Sequence, residues 1–184
     1  MKKAFSLVGV LMLSGCITAV PNPFLIEDFK DVEPIELAVS QINVSSDVLS
    51  FHRLPHIEHK MPVTPSDALT NWAKNRFAAD DKTSDITADF TVRQAYMLQT
   101  DKPSDKWYVL DNVSYRLEYT ADFVFKKNGM VLNAQSVTGW EQQSLPKKSS
   151  LNTKEDAWES MLNNMVKKVN NQIISQIPVD LIKR

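Results

Sequence analysis

Apolar and polar side chains alternate from Tyr115 to Phe125, with Val124 as the one apolar residue at a polar position, which is the clearest pattern in this chain. A period of two predicts a strand with one buried face and one wet face. Asn128-Gly129 follows, and this dipeptide favours a two-residue hairpin turn. Such a turn predicts the pairs Phe125 with Leu132, Phe123 with Ala134, Tyr119 with Thr138 and Leu117 with Trp140.

A second strand is predicted upstream, where one face carries apolar or aromatic side chains with Gln94 as the exception. These side chains belong to Ile86, Ala88, Phe90, Val92, Tyr96 and Leu98. The first strand begins near Ile35, and its apolar positions change phase near Gln41. An extra residue in one strand shifts the phase in this way, so a β-bulge is expected at Gln41.

Two segments carry signals for the start of a helix. Thr64, with Pro65 in the first helical position and Asp67 close behind, resembles a capping arrangement. Thr153 and Asp156 repeat the spacing before a longer C-terminal helix that Pro178 ends. Its apolar side chains recur at helical spacing, which predicts packing against the core. They are Trp158, Met161, Leu162, Met165, Val166, Val169 and Ile173.

The predicted order of elements is therefore β-α-β-β-β-α. This order favours the α+β class, as a two-layer sandwich of a four-stranded, mostly antiparallel sheet with two helices on one face. The other face of the sheet is left uncovered, and two interpretations stay open: a solvated surface, or a flat surface for docking a protein. It is predicted to present Arg93, Arg116, Glu118, Asp122, Asn133 and Gln135.

Composition and charge exclude several classes of protein. With 43% hydrophobic and 23% charged residues it is a folded chain and not a disordered one. The net charge is −1 and no basic stripe with interleaved aromatic residues occurs, so nucleic acid is not an expected partner. The sequence has no G-x-S-x-G elbow and no phosphate-binding glycine loop. We expect no enzymatic activity and no catalytic residues.

The N-terminus has the anatomy of a secretory signal. Lys2 and Lys3 precede a largely apolar run from Ala4 to Leu13. Ten residues rise only about 15 Å as a helix, whereas a membrane-spanning helix needs roughly 20 residues. The segment is therefore predicted to be a removable signal peptide and not a permanent anchor.

Cys16, the only cysteine, closes the run Leu13-Ser14-Gly15-Cys16. This run resembles the lipobox of bacterial lipoproteins. The resemblance implies cleavage between Gly15 and Cys16 and a diacylglycerol, with palmitate-like chains, on the cysteine sulfur. Three acyl chains bind a membrane in an effectively permanent way, because each buried methylene contributes about 0.8 kcal/mol. An ordinary cleaved signal with a chance cysteine is the alternative.

Ile17 follows the lipobox cysteine. In the lipoproteins that this motif resembles, Asp at this position signals retention in the inner membrane. Ile17 therefore implies the periplasmic side of the outer membrane, while the inner membrane and the cell surface stay open. The expected domains are a signal peptide over 1–15, a lipidated tether over 16–34 with three prolines, and one globular domain over 35–184.

All three histidines lie close together in the sequence. His52, His56 and His59, with Glu58, are suitable side chains for zinc, and they are the weak candidates for a metal site. Their spacing matches no metallohydrolase motif, and the surrounding prolines oppose a helix. Docking of a long loop through hydrogen-bonded histidines is the favoured interpretation, so no metal and no cofactor besides the lipid on Cys16 is expected.

The segment Leu54–Pro62 and the residues that follow it, Ala68-Leu69 and Trp72-Ala73, look like a stretch of uncharacterised alphaproteobacterial lipoproteins. In element order alone, the domain is similar to outer-membrane lipoproteins that assist lipopolysaccharide assembly or lipid transport. These resemblances imply no activity. The anchor, the two-layer fold and the absence of catalytic motifs instead lead us to expect a membrane-anchored envelope lipoprotein that acts as a non-catalytic binding or assembly accessory for another envelope component, with an envelope protein as the expected partner. The alternative is a periplasmic lipoprotein that binds a ligand, either metal or lipid.

Overall fold

The computed structural model describes residues 26–27, 29–106 and 111–183. Its regular elements are the following: β1 Ile35–Leu37, β2 Gln41–Ser46, α1 Pro65–Arg76, β3 Phe77–Ala79, β4 Ile86–Lys102, β5 Asn112–Lys127, β6 Met130–Pro146 and α2 Leu151–Gln176. Short 3₁₀ turns occupy Glu58–Lys60 and Val179–Leu181. None of the helices within these ranges is both long and apolar enough to cross a bilayer.

The main sheet has the strand order β2-β4-β5-β6. Strand β2 runs parallel to β4, and the other two pairings are antiparallel. Both helices pack on one side of it, so the predicted α+β fold with a four-stranded, mostly antiparallel sheet is confirmed. A small parallel pair, β1 with β3, lies beside it. The first predicted strand is therefore two strands in two sheets, and the bulge predicted at Gln41 was wrong.

The core lies between the helices and the inner face of the sheet. Trp72 of α1 meets Phe90 of β4 with ring centroids 5.5 Å apart, and Phe77 meets Phe123 at 5.0 Å. The apolar stripe predicted for the C-terminal helix is buried, as expected from its spacing. These contacts fix which face of each strand is turned inward.

Hydroxyl side chains cap both helices. Thr64 accepts a hydrogen bond from the backbone N–H of Asp67 at 3.1 Å, as the sequence predicts. Helix α2 begins earlier than predicted, because Ser150 is its N-cap and accepts from the N–H of Thr153 at 3.2 Å. The start predicted at Thr153 was wrong, since that hydroxyl pairs with the Ser150 hydroxyl inside the first turn.

A bulge in β4 changes which residues face the core. The pairing with β5 passes from Val92 to Gln94 and leaves Arg93 without a partner residue. Beyond the bulge the buried side chains are Ala95 and Met97. The prediction that Tyr96 and Leu98 continue the buried face was therefore wrong.

A second bulge lies just after the β5–β6 turn. Lys126 pairs with Val131 and Phe125 pairs with Asn133, so Leu132 is the extra residue. Beyond this bulge every pair is shifted by one residue relative to the prediction. The predicted register was therefore wrong. The shifted pairs include Tyr119 with Gly139 and Leu117 with Glu141.

The same shift moves two polar side chains. Gln135 is buried and donates from its amide to the backbone carbonyl of Gln176 at the end of α2. Asn133 lies on the same side of β6 and accepts from Gln135 at 3.1 Å. The prediction that both residues lie on the uncovered face was wrong, because the bulge at Leu132 turns them toward the helices.

Candidate functional site

The face of the main sheet opposite the helices, which we call the open face, is built mainly by β4, β5 and β6. Strand β5 presents its polar alternate residues there, since the apolar alternates fill the core. Arg93, Arg116, Glu118 and Asp122 lie on this face as predicted. It is broad because each of the three strands runs for 16 or 17 residues.

Charged side chains of the open face pair with one another. The Arg93 guanidinium, at the β4 bulge, donates to Asp122 at 2.9 Å and also contacts Asp47. The hydrogen bond with Asp122, followed by that with Asp47, raises the pKa of Arg93. Lys126 pairs with Asp89 at 2.8 Å. Neighbouring opposite charges leave this part of the face with little net field.

Trp140 is a large, exposed apolar side chain on the open face. It is 57% exposed, and the guanidinium carbon of Arg116 lies 4.7 Å from the ring centroid. Arg116 in turn donates to Glu118 at 2.6 Å. A hollow of about 220 Å³ lies beside the indole, bordered by Gln94, Thr138 and these three side chains.

This arrangement is suited to contact with another molecule. An indole stacked by a guanidinium gives a flat surface with an apolar body and polar edges. Trp and Arg are also the residues that most often dominate binding energy at protein interfaces. The amide of Gln94 and the hydroxyl of Thr138 add donors and acceptors at the border of the hollow.

The histidine segment docks on the edge of β4. The backbone N–H of Ile57 donates to the carbonyl of Met97 at 3.0 Å, and the N–H of Gln99 donates to Pro55 at 2.7 Å. Glu58 is only 7% exposed. Its Oε1 accepts from the N–H of Met97 and lies 3.1 Å from Nδ1 of His56.

The four metal candidates separate into two pairs. His56 contacts Glu58, whereas the rings of His52 and His59 pack edge to face with centroids 5.4 Å apart. Within the described ranges, no group of three or more His, Cys, Asp or Glu side chains is placed to hold a metal ion. The observed contacts are those of a loop held to a strand edge.

Gly15 and Cys16, the predicted cleavage and acylation residues, lie outside the described residues. The first described residues of the tether contact α2. The N–H of Glu27 donates to Asn163 at 2.6 Å, and its carboxylate pairs with Lys167 at 3.0 Å. The tether therefore reaches the domain near the middle of α2.

Sequence reasoning missed Trp140, because the predicted register assigned it to the buried face. One signal could have found it. Gly139 is one of two glycines after Cys16, and a glycine inside a strand often marks a close approach of another group. Placing Gly139 opposite the large Tyr119 side chain turns Trp140 outward.

No family model and no curated protein matches this sequence. Solved structures of bacterial lipoproteins are similar to it in fold. A minor lipoprotein from Acinetobacter baumannii has 12% identity and a TM-score of 0.40, covering 74% of this chain and 92% of its own. Lipoprotein B from Nitrosomonas europaea, described as uncharacterized, has 13% identity and a TM-score of 0.41, covering 75% and 84%. Rare lipoprotein B from Shewanella oneidensis has 12% identity and a TM-score of 0.41, covering 73% and 94%. Similarity at this level carries no information about function.

Proposed function

We propose that this chain is a lipid-anchored lipoprotein of the bacterial envelope, whose domain binds another envelope protein through the open face. The lipobox ending at Cys16 supports the anchor. Ile17 supports the inner leaflet of the outer membrane as its site. The role is non-catalytic, in keeping with a sequence that has no recognised catalytic motif.

The observation that carries the proposal is Trp140, exposed at the open face of a sheet whose other face is packed. Burying the indole in a complex would contribute on the order of 2 kcal/mol, because apolar area is removed from water. The neighbouring charges are already paired within the chain, so the partner need not supply opposite charges. We therefore expect binding that depends on Trp140 and changes little with salt.

Ligand binding has less support from the geometry. The space between the helices and the sheet is filled by side chains that are less than 2% exposed, including Trp72, Phe90 and Leu162. A lipid between these layers would have to displace them. Metal analysis and native mass spectrometry of the purified unacylated chain address both ligands directly.

Crosslinking from the open face tests the protein partner. A photoreactive residue replaces Thr138, which is exposed beside Trp140 on the open face, and the reference variant carries the same residue at Leu151 at the start of α2. Irradiation of intact cells is expected to give a discrete adduct from position 138 only. The adduct should disappear when Trp140→Ala is added. An adduct that persists with Trp140→Ala, or equal adducts from both positions, would contradict the proposal.

Acylation is tested separately. Labelled palmitate is expected to enter the chain and to be lost in Cys16→Ser, which should also leave the membrane fraction. Retention of Cys16→Ser at the membrane would remove the anchor from the proposal, even if the crosslink at position 138 were observed.

A further inference from the structure

Three consecutive apolar residues are exposed at the end of the β5–β6 hairpin. Met130 is 71% exposed, Val131 60% and Leu132 52%. We call these three residues the hairpin tip. A run of exposed apolar side chains promotes association in water, so it usually marks a site of interaction.

The bulge creates part of this exposure. In an unbulged hairpin, Leu132 would pair with Phe125, whose side chain is fully buried. With Leu132 as the extra residue, Asn133 takes that place and the leucine stays outside. All three side chains of the tip are therefore in solvent, whichever face of the strand they occupy.

Charges are absent from the tip and paired at its base. No charged residue occurs between Lys127 and Glu141. The two lysines at the base are neutralised, since Lys126 pairs with Asp89 at 2.8 Å and Lys127 with Asp85 at 3.3 Å. Apolar material can therefore bury the tip without taking an unpaired charge out of water.

The length of the tether allows Cys16 and the hairpin tip to lie at the same level, as contact of both with one bilayer surface would require. Glu27 contacts Asn163 of α2, and Gln176 lies about 20 Å further along the helix axis. Gln135 contacts the Gln176 carbonyl, and the tip lies about 14 Å beyond it along β6. When fully extended, the ten steps from Cys16 to Ile26 span about 35 Å, which is about the sum of these two lengths laid along one line.

We propose that the hairpin tip inserts its three apolar side chains into the interfacial region of the bilayer that holds the lipid anchor. This inference rests on the proposed anchor. An anchored chain keeps the tip at a high effective concentration near the bilayer, so three side chains suffice where a free domain would not bind. Insertion would orient the domain, because the tip and the tether then attach it at two points.

A fluorescent label at the tip tests the insertion. The chain from residue 16 with Cys16→Ser has no cysteine, so one added cysteine can carry an environment-sensitive dye. Val131→Cys reports the tip, and Leu151→Cys is the matched reference, being 61% exposed at the start of α2. An N-terminal histidine tag holds each variant on vesicles of phosphatidylethanolamine, phosphatidylglycerol and a nickel-chelating lipid.

On these vesicles the dye at position 131 is expected to shift its emission to shorter wavelength and to brighten several-fold. The dye at position 151 should not change, and adding Leu132→Asp should reverse most of the shift at position 131. Equal spectra at both positions on vesicle-bound protein would overturn the inference. A shift at position 131 that grows with protein concentration without vesicles would also overturn it, in favour of a second copy of the chain.

The design separates this inference from the proposed anchor. Chelating lipid replaces Cys16 as the attachment, so a failure of acylation in cells does not alter the dye spectra. In the reverse case, palmitate labelling without a shift at position 131 removes the insertion and leaves the anchor.

Discussion

Tyr119 and Gly139 lie directly opposite each other on β5 and β6, and the tyrosine ring occupies the space where a side chain at position 139 would stand. A Cβ on Gly139 would overlap the phenol oxygen of Tyr119. Burial, the largest cause, raises the pKa of Tyr119 because it disfavours the charged phenolate. The close packing of this pair fixes the register of β6 and, with it, the outward position of Trp140.

Gly139→Ala is expected to destabilise the fold by about 1 to 3 kcal/mol, because the added methyl overpacks against Tyr119. The smaller unfolded-state entropy of alanine would recover only about 0.4 to 1 kcal/mol. Urea unfolding measures the difference. Tyr119→Phe in the same chain should restore part of the loss, since it removes the overlapping oxygen.

Thr138→Ala is the reference for this test. Thr138 is exposed, and its hydroxyl is 3.1 Å from that of Thr120. We expect a change within about 0.5 kcal/mol. If Gly139→Ala were as neutral as Thr138→Ala, the close contact with Tyr119 would not exist in solution.

Glu58 is expected to stabilise the fold mainly as a hydrogen-bond acceptor and less through its negative charge. Glu58→Ala leaves the buried N–H of Met97 without its side-chain acceptor, which costs about 1 to 3 kcal/mol. Glu58→Gln keeps an acceptor oxygen. The atom that the substitution replaces, Oε2, has no hydrogen-bond partner among the described residues. The unfolding free energy of Glu58→Gln should therefore stay within about 1 kcal/mol of that of the wild type.

Hydrogen exchange at the Met97 amide distinguishes the two variants. Exchange should accelerate in Glu58→Ala and remain slow in Glu58→Gln. Equal acceleration in both variants would mean that the negative charge, and not the acceptor, holds the segment to β4.

The sequence predicted the three long strands, the two helices and their layering, because apolar periodicity and capping residues are local signals. It missed β3 and the division of the first strand between two sheets. It did not predict the two bulges, since the residues that decide them are distant in sequence. Arg93 leaves the ladder where it meets Asp47 and Asp122, and Gly139 is required by Tyr119 on the next strand. Each bulge reverses the faces beyond it, so different side chains reach the candidate site even though the long strands were predicted correctly.

Helix capping offers a direct comparison of the predicted and observed start of α2. Ser150→Ala should cost about 1 kcal/mol, because the N–H of Thr153 loses its acceptor. Thr153→Ala should cost less, since the one hydrogen-bond partner of that hydroxyl among the described residues is the Ser150 hydroxyl. Thermal unfolding of both variants checks the order. A larger loss of stability for Thr153→Ala would instead support Thr153 as the N-cap of α2, as predicted from the sequence.

Asp89 should make stability depend on pH in the acid range. Partial burial, the largest single effect, raises its pKa, but the hydrogen bonds from Lys126 and Asn43 and the positive charge of Lys126 together outweigh it. The pKa therefore lies below the ordinary value of 3.8. A carboxyl group with a lowered pKa stabilises the fold at pH values above its pKa in the unfolded chain. This contribution is lost as the pH falls through the pKa of the folded chain.

Asp89→Asn removes this contribution and provides the measurement. The difference in unfolding free energy between wild type and Asp89→Asn should be largest near neutral pH. It should shrink as the pH falls below about 4, where Asp89 of the unfolded wild type begins to take up a proton. A difference that stays constant between pH 7 and pH 2 would contradict the lowered pKa.

Arg116 and Trp140 should be coupled to each other but contribute little to folding. Stacking of a guanidinium on an exposed indole is worth about 0.5 to 1 kcal/mol, and the exposed pair with Glu118 adds about as little. A double-mutant cycle with Arg116→Ala and Trp140→Ala measures the coupling. Arg116→Lys should lose most of this coupling, because the ammonium keeps the charge but not the planar stacking.

Since Trp140→Ala is expected to leave the domain folded, loss of the crosslink from position 138 would report a lost contact with the partner. A cost of several kcal/mol for Trp140→Ala would instead show that the indole is part of the core.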